Sequence, residues 1–460
     1  MPTTSGDRLL GNSAKRPQPD KLVQSTSHTR APTANIPASV RSKIANCSPA
    51  TAPSNFKKPN TIARAAGEPF SPNRIKQRLN HRRYSPAVLT MAISTGVATR
   101  SFEGAARLLM ITATLKISPR HLQTLCQEVG GELVDEQQAR TEAFRKRPLM
   151  TPATVASPPV PLAVVMVDGG RMQTRKPGHG TGVHEPAWRE SKTAILLRMT
   201  HTPYATDPRP DLPICFAHPL GTALETPRTD PGERSTTKPE RLFRTGLATL
   251  ENSDQFAWMT AAAAEDRGFF SAAAKAFVSD GQAYNWTTQR RHFESFEPIL
   301  DFVHGSEHVH DAAGAASQPG VRWVALCWQG RVAEVLSEIS EHLRRLTPPC
   351  VPEREPEHPW CVLSREHGYL TNNRERMDYP RYRRLGLPIT SSPIESWVKQ
   401  VNQRVKGSEK FWNDDRNGEA ILHLRSAWLG DDDALTEHLK NRPGHPHARP
   451  RGDEPSCIAA

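Results

Sequence analysis

Two short apolar runs, each halted by an Asp-Gly pair, constrain this chain more than any other feature. Residues 163–167 read AVVMV and meet Asp168-Gly169-Gly170, and residues 276–279 read AFVS and meet Asp280-Gly281. A run of this kind between turn signals reads as a buried central strand, as found in open α/β sheets clothed by helices. Both carboxylates are then expected at the carboxyl edge of the sheet, where ligands gather in such folds. A third run, Pro298-Ile299-Leu300, stops at Asp301, and residues 193–199 suit a hairpin partner for the first strand. Asp-Gly is also an ordinary turn signal, so each Asp alone has a structural explanation.

Around these strands the periodicity is helical. Ser118-Pro119 is a capping hydroxyl followed by Pro at the first helical position, and Leu122, Leu125, Val129 and Leu133 then share a face. Phe102, Ala105, Leu108 and Leu109 suit a helix just before it. Two short helices about a tight turn fit a helix-turn-helix at 85–147, with Arg120, Gln123 and Gln127 pointing outward to DNA; any small bundle would look similar. Residues 305–384 are expected to be helical, with Val332, Val335, Leu336, Ile339 and Leu343 on one stripe. Ser391-Ser392-Pro393 opens a last helix with Ile394, Val398, Val401 and Val405 inward, and Glu395 stands three residues after Ser392, which is capping-box spacing.

Charge is distributed unevenly. The chain carries 60 Lys and Arg against 48 Asp and Glu, and residues 1–84 hold 15 of the bases and 3 of the acids, so the net +12 resides entirely in that segment. Rich in Ser, Thr, Pro and Asn, it reads as a disordered basic tail suited to loose contact with a polyanion. Residues 148–162 read as a Pro-rich linker, 202–239 as a surface insertion and 430–460 as a flexible tail. Seven scattered Cys without a Cys-x-x-Cys pair indicate neither a disulfide framework nor a zinc ribbon. No apolar stretch reaches membrane-spanning length, so a cytoplasmic, nucleoid-associated protein is expected, with no membrane partner.

Two strands ending in Asp and a distant helix with a Glu in its first turn can hold divalent cations, and hard oxygen ligands select Mg²⁺ or Mn²⁺. The surrounding text resembles bacterial insertion-sequence transposases with a ribonuclease H-like catalytic domain. The resemblance spans roughly 85–430 and is densest in VDGGRMQTR with the downstream WRESK, in FVSDGQAYNW, and in LPITSSPIESWVKQVNQRVKGSEKFW. It implies Asp168, Asp280 and Glu395 as catalytic acids holding two metal ions. Asp301-Phe302-Val303-His304 resembles the Asp-x-x-His feature of the Mutator-like branch, which implies an all-α insertion between the second and third acids and places Asp301 and His304 near the site.

The fold expected is therefore α/β: a ribonuclease H-like mixed sheet (148–304 and 385–429) interrupted by a helical insertion (305–384) and preceded by the helical region and the basic tail. The activity implied is cleavage of element ends in double-stranded DNA and joining of the 3′-hydroxyl to target DNA, by a homo-oligomer on DNA. A structure-specific nuclease without joining, and a non-catalytic DNA-binding protein derived from a transposase, are the alternatives. Lys399, Asn402 and Lys406 follow Glu395 at spacings of four, seven and eleven, so that face is expected to meet DNA. RERMDYPRYRR (374–384) interleaves Arg381, Arg383 and Arg384 with two Tyr, suited to phosphates and to stacking on unpaired bases. His304, His308 and His310 raise a zinc reading, but three His without a fourth ligand fit a structural site poorly.

Overall fold

The computed structural model describes residues 84–147, 159–175, 187–216, 237–407, 410–412 and 414–442. All of these belong to one compact unit, Ser71–Ala460. The proposed basic tail lies outside the described residues, as do most of the 148–162 linker, residues 217–236 of the proposed insertion and the chain beyond 442.

The α/β expectation holds. Five strands, β1 (Leu162–Thr174), β2 (Ala187–Met199), β3 (Arg241–Thr249), β4 (Ala274–Ser279) and β5 (Glu297–Leu300), form one mixed sheet in the order β3-β2-β1-β4-β5. The β1-β2-β3 half is antiparallel, and β4 and β5 run parallel to β1. The runs that read as buried central strands are so: Ala163 to Met166 and Ala276 to Val278 are completely buried. One expectation needs correcting. Asp168 does not end its strand, because β1 continues to Thr174 against β2. What ends near it is the pairing with β4, whose last partners are Val167 and Ser279.

Ahead of the sheet stand α1 (Pro86–Ala98), α2 (Phe102–Ala113) and α3 (Pro119–Arg145). Ser118 caps α3 as its sequence indicates, its hydroxyl accepting from the His121 amide at 3.2 Å, and Leu122, Leu125, Val129 and Leu133 are buried. At 27 residues α3 is not the short second helix of a compact turn motif. It lies along α12 (Asp415–Leu429), which packs on β3.

Helix α4 (Ser253–Glu265) follows β3, and α5 (Ala283–His292) joins β4 to β5. Between β5 and α11 (Ser392–Val405) the main elements are all helices: α6 (Phe302–Ala315), α7 (Gly320–Trp328), α8 (Val332–Arg345), α9 (Pro359–Asn373) and α10 (Tyr379–Arg384). Val332, Val335 and Ile339 of the α8 stripe are buried, with Leu336 and Leu343 packed at its margin. The segment 201–216 is not a loose surface excursion. Its Asp207 holds Arg383, its Arg209 carbonyl accepts from Trp328 Nε1 at 2.9 Å, and Phe216 lies edge-on to Phe302, so it fastens the helical insertion to the rest. Nor is the chain loose from 430: α13 (Ala434–Asn441) is tied to α3 through His438, which bonds Glu132 and Glu136.

Helix α11 is seated by Trp397, which is fully buried over Gly246 of β3. A Cβ on Gly246 would lie 2.8 Å from the indole, so the helix that carries Glu395 approaches the sheet this closely only because that position is glycine. Burying a side chain of this size contributes roughly 3 kcal/mol.

Candidate functional site

The parallel register brings the first two acids together. Because Val167 pairs with Ser279, Asp168 and Asp280 are the next residues of adjacent strands at the same edge of the sheet. Asp280 leads into Gly281, whose φ of +91° is open to glycine but strained for other residues. The turn is fixed from three directions. Asn285 Nδ2 donates to Asp280 Oδ1 at 2.9 Å, the Gln282 amide donates to the same oxygen, and Tyr369 of α9 donates its hydroxyl to the Asp280 carbonyl at 2.9 Å.

Asp168 is served less well. Among the described residues its only hydrogen bond comes from the adjacent Gly169 amide, at 2.6 Å. Its pKa is pushed up to about 6, first by burial and then by the negative charges of Asp280 and Glu395, while the Gly169 bond and His304 pull the other way. Glu395 is therefore close enough to Asp168 for their charges to interact.

Asp301 is of another kind. It is fully buried at the end of β5 and accepts five hydrogen bonds: from the Val303 and His304 amides, from His304 Nδ1 at 2.7 Å, and from the Ser391 amide and hydroxyl at 2.9 Å each. One carboxylate thus caps α6, orients His304 and pins the start of α11. The His304 bond, outweighing burial, lifts that ring's pKa to about 9, so it is cationic at neutral pH.

That arrangement corrects the capping-box reading of Glu395. The residue at the cap position of α11 is Ser391, not Ser392, and its hydroxyl serves Asp301 instead of the helix amides. Glu395 is one residue too far into the helix for a capping box. Its direct partner among the described residues is exposed Lys399, at 3.5 Å.

Among the described residues, the group of three or more metal-capable side chains with all donor atoms within 4.8 Å of one another is Asp301, His304 and Glu395. Asp301 has spent its lone pairs on five donors, so we read this group as a linkage that aims His304 and Glu395 toward the Asp168–Asp280 edge. The donors left with capacity are the carboxylates of Asp168, Asp280 and Glu395. Carboxylates with free lone pairs are the oxygen donors that hard divalent cations take.

Sequence reasoning missed the residues that support this edge. Asn285, one turn into α5, fixes Asp280; Tyr284 beside it stands near Asp168, Asp280 and Glu190, whose charges add to burial in raising its phenol pKa. DGQAYNW carries both, and a polar pair one helical turn after a strand-end Asp is the signal that could have found them. Tyr369 comes from a distant helix, and nothing local marks it.

Several residues expected to contact DNA are engaged within the chain or partly buried. Arg381 is bidentate to Glu297 at 2.8 and 2.7 Å, and Arg383 is buried, forked onto Asp207 and stacked on Trp328. Tyr379 and Tyr382 are fully buried, so neither offers a stacking surface; Arg384 alone of this set is exposed. Lys406 is the exposed residue that ends α11, its amide donating to the Asn402 carbonyl, and Asn402 is half-buried near Gly170. Arg120 is exposed, but Gln123 and Gln127 are half-buried and line a cleft. The three His do not converge on an ion: His304 bonds Asp301, and His308 bonds Glu366 and stacks on Tyr369 with centroids 3.5 Å apart. No described helix is long and apolar enough to cross a membrane.

Compared with models of known protein families and with curated protein sequences, the chain gives no match.

Proposed function

We propose that this chain is a metal-dependent DNA transposase of the ribonuclease H-like kind, with Asp168, Asp280 and Glu395 as its catalytic acids. The observation that supports the reading is that Asp168 and Asp280 follow paired residues of adjacent parallel strands, that Asp168 feels the charges of both Asp280 and Glu395, and that Asp301 bonds the start of the helix carrying Glu395. The mixed sheet, with helices filling the interval between second and third acids, supports the same reading.

Asp168, Asp280 and Glu395 would hold Mg²⁺ or Mn²⁺, whose chemistry is to activate an oxygen nucleophile and neutralise the leaving oxygen. The chain's residues do the rest. Asn285 and Tyr369 fix the Asp280 turn, Asp301 sets the angle of α11, and His304 places positive charge beside the acids. In the first reaction water attacks a phosphorus at the element end and the bond to O3′ breaks, leaving a 3′-hydroxyl. In the second that hydroxyl attacks a target phosphorus and displaces its O3′, its proton passing through solvent to the oxygen that leaves. No covalent enzyme intermediate is needed, and positioning carries most of the rate.

Purified protein incubated with Mg²⁺, labelled candidate terminal repeats and a target plasmid tests this. The expectation is cleaved ends and joined product from the wild type, and neither from Asp168→Asn, Asp280→Asn or Glu395→Gln. Cleavage without joining would identify a nuclease instead, and DNA binding without cleavage a non-catalytic relative.

A further inference from the structure

A second site lies at the other end of β1. Past Thr174 the chain pairs with residue 412: the Trp412 amide donates to the Gln173 carbonyl, and the Arg175 amide donates to the Trp412 carbonyl, both at 2.9 Å. Beside this junction is a cleft of about 250 Å³ whose lining includes Arg100, Gln123, Gln127, Arg404, Lys410 and Phe411. Its charged lining is cationic throughout.

Arg404 is the built part of it. Only 3% exposed, it stacks on Phe102 at 3.9 Å and donates to the carbonyls of Gly96 and Arg100, yet its Nη2 has no hydrogen-bond partner among the described residues. Lys410 donates to the Gln403 carbonyl, and burial followed by Arg404 and Arg100 lowers its pKa, as expected of cations gathered without a carboxylate between them. The carboxylate nearest in sequence among the described residues, Asp414, is engaged by the Asn417 amide and side chain. Phe411 is 44% exposed, with Arg175 covering one face at 4.1 Å. A cationic cleft offering an open aromatic ring and two half-buried amides has the chemistry that takes an unstacked base with its phosphate.

We propose that this cleft binds one unpaired nucleotide of a DNA strand, with the base on Phe411, Gln123 and Gln127 at its edge, and the phosphate on Arg100 and Lys410. The inference rests on the reading that the chain acts on DNA and adds to it a second grip at a fixed spacing. From Asp168 to Arg175 is seven strand residues, roughly 23 Å, and from Glu395 to Arg404 nine helical residues, roughly 14 Å. At about 3.4 Å per step along a strand, the captured nucleotide lies about four to seven positions from the phosphate at the acids.

The test uses the full chain and two fluorescent probes, a 20-nucleotide single strand and the duplex of the same sequence, titrated at several salt concentrations. Phe411→Ala is expected to weaken single-strand binding about tenfold, the effect of losing one stacked base, with duplex binding within about twofold. Phe411→Trp restores it, and Lys410→Gln lowers the salt slope for the single strand by about one. Unchanged single-strand affinity in Phe411→Ala overturns the proposal, as does an equal loss on both probes. It is also overturned if inorganic phosphate competes through Lys410 while Phe411→Ala has no effect, which marks an anion site alone. Asp280→Asn separates the two readings, since it is expected to keep the Phe411-dependent binding whatever becomes of cleavage.

Discussion

Asp168 and Asp301 stand two strands apart at one edge of one sheet, and the protein treats them oppositely. Asp301 is fully buried and accepts five hydrogen bonds, so its charge is solvated by the protein itself. Asp168, partly buried among like charges, has one bond from its neighbour and a pKa pushed up to about 6. A saturated carboxylate is part of the framework. An under-served one among other acids costs stability and persists where a ligand completes it. Sequence gives both the same signature, an Asp after an apolar run; only their surroundings separate them.

The largest expected effect breaks the comparison at Asp168. Asp168→Asn should reduce DNA cleavage on the order of 10³-fold, as losing one pre-set electrostatic group at a reacting centre does. Without divalent ions the same change should stabilise the fold. Because the folded pKa of Asp168 is raised, the ionised group disfavours folding, and stability improves as pH falls through about 6. A gain of order 1 kcal/mol at pH 7 in urea unfolding is expected, and a loss of stability would show the carboxylate to be structural after all.

At Asp301 the sign reverses. Asp301→Ala leaves His304 and the Ser391 amide and hydroxyl without their acceptor and should cost about 3–5 kcal/mol in the same measurement. A cost below about 1 kcal/mol would mean that the five bonds do not hold α6 and α11 together.

A smaller effect sharpens what saturation means, using a titrating group far from the site. His438 is buried between Glu132 and Glu136; burial opposes its charge, but the hydrogen bonds from both ring nitrogens prevail and raise its pKa. Its contribution is fully present below the ordinary histidine range and is lost as pH rises through the raised value. Glu132 runs the other way: burial raises its pKa, but its bonds to His438 and Arg442 prevail and lower it, so its share is lost as pH falls. Attachment of α13 should be firmest between the two, and His438→Gln should remove the alkaline part of that dependence, about 1 kcal/mol by urea unfolding at two pH values. A His438→Gln variant with the wild-type pH profile would show that the contact is not ionic.

What the sequence disclosed divides along similar lines. Apolar runs with stops, and Ser118-Pro119 with its heptad-like face, are local signals backed by burial, so β1, β4, β5 and α3 were legible. The nearness of Asp168 to Asp280 was legible from the apolar runs before them, although β1 runs on past Asp168. What escaped was set by tertiary partners. Arg381 and Arg383 look like DNA-binding arginines until Glu297 and Asp207 are placed against them. Ser392 looked like a cap because nothing local shows that Asp301, 90 residues earlier, claims the hydroxyl next door.

That last case yields the smallest and sharpest contrast. If Ser391 serves Asp301 and Ser392 serves nothing, the two neighbouring serines should respond differently to loss of the hydroxyl. Ser391→Ala removes a buried hydrogen bond to a charged carboxylate and should cost about 1.5–3 kcal/mol. Ser392 is an exposed first-turn residue that makes no cap bond, so Ser392→Ala should fall within about 0.5 kcal/mol of wild type. Glu395→Gln belongs with Ser392 in stability, since its direct partner among the described residues is an exposed lysine at 3.5 Å, and exposed pairs of this sort contribute about 0.3–0.5 kcal/mol. It belongs with Asp168 in activity, and should lose cleavage and any stabilisation by Mg²⁺. Thermal unfolding of the three variants with and without Mg²⁺ decides it. If Glu395→Gln proved markedly unstable without metal yet kept wild-type turnover, Glu395 would be a framework residue like Asp301, and the third acid would have to be another group at this edge, with Glu190 next to hand through its proximity to Tyr284.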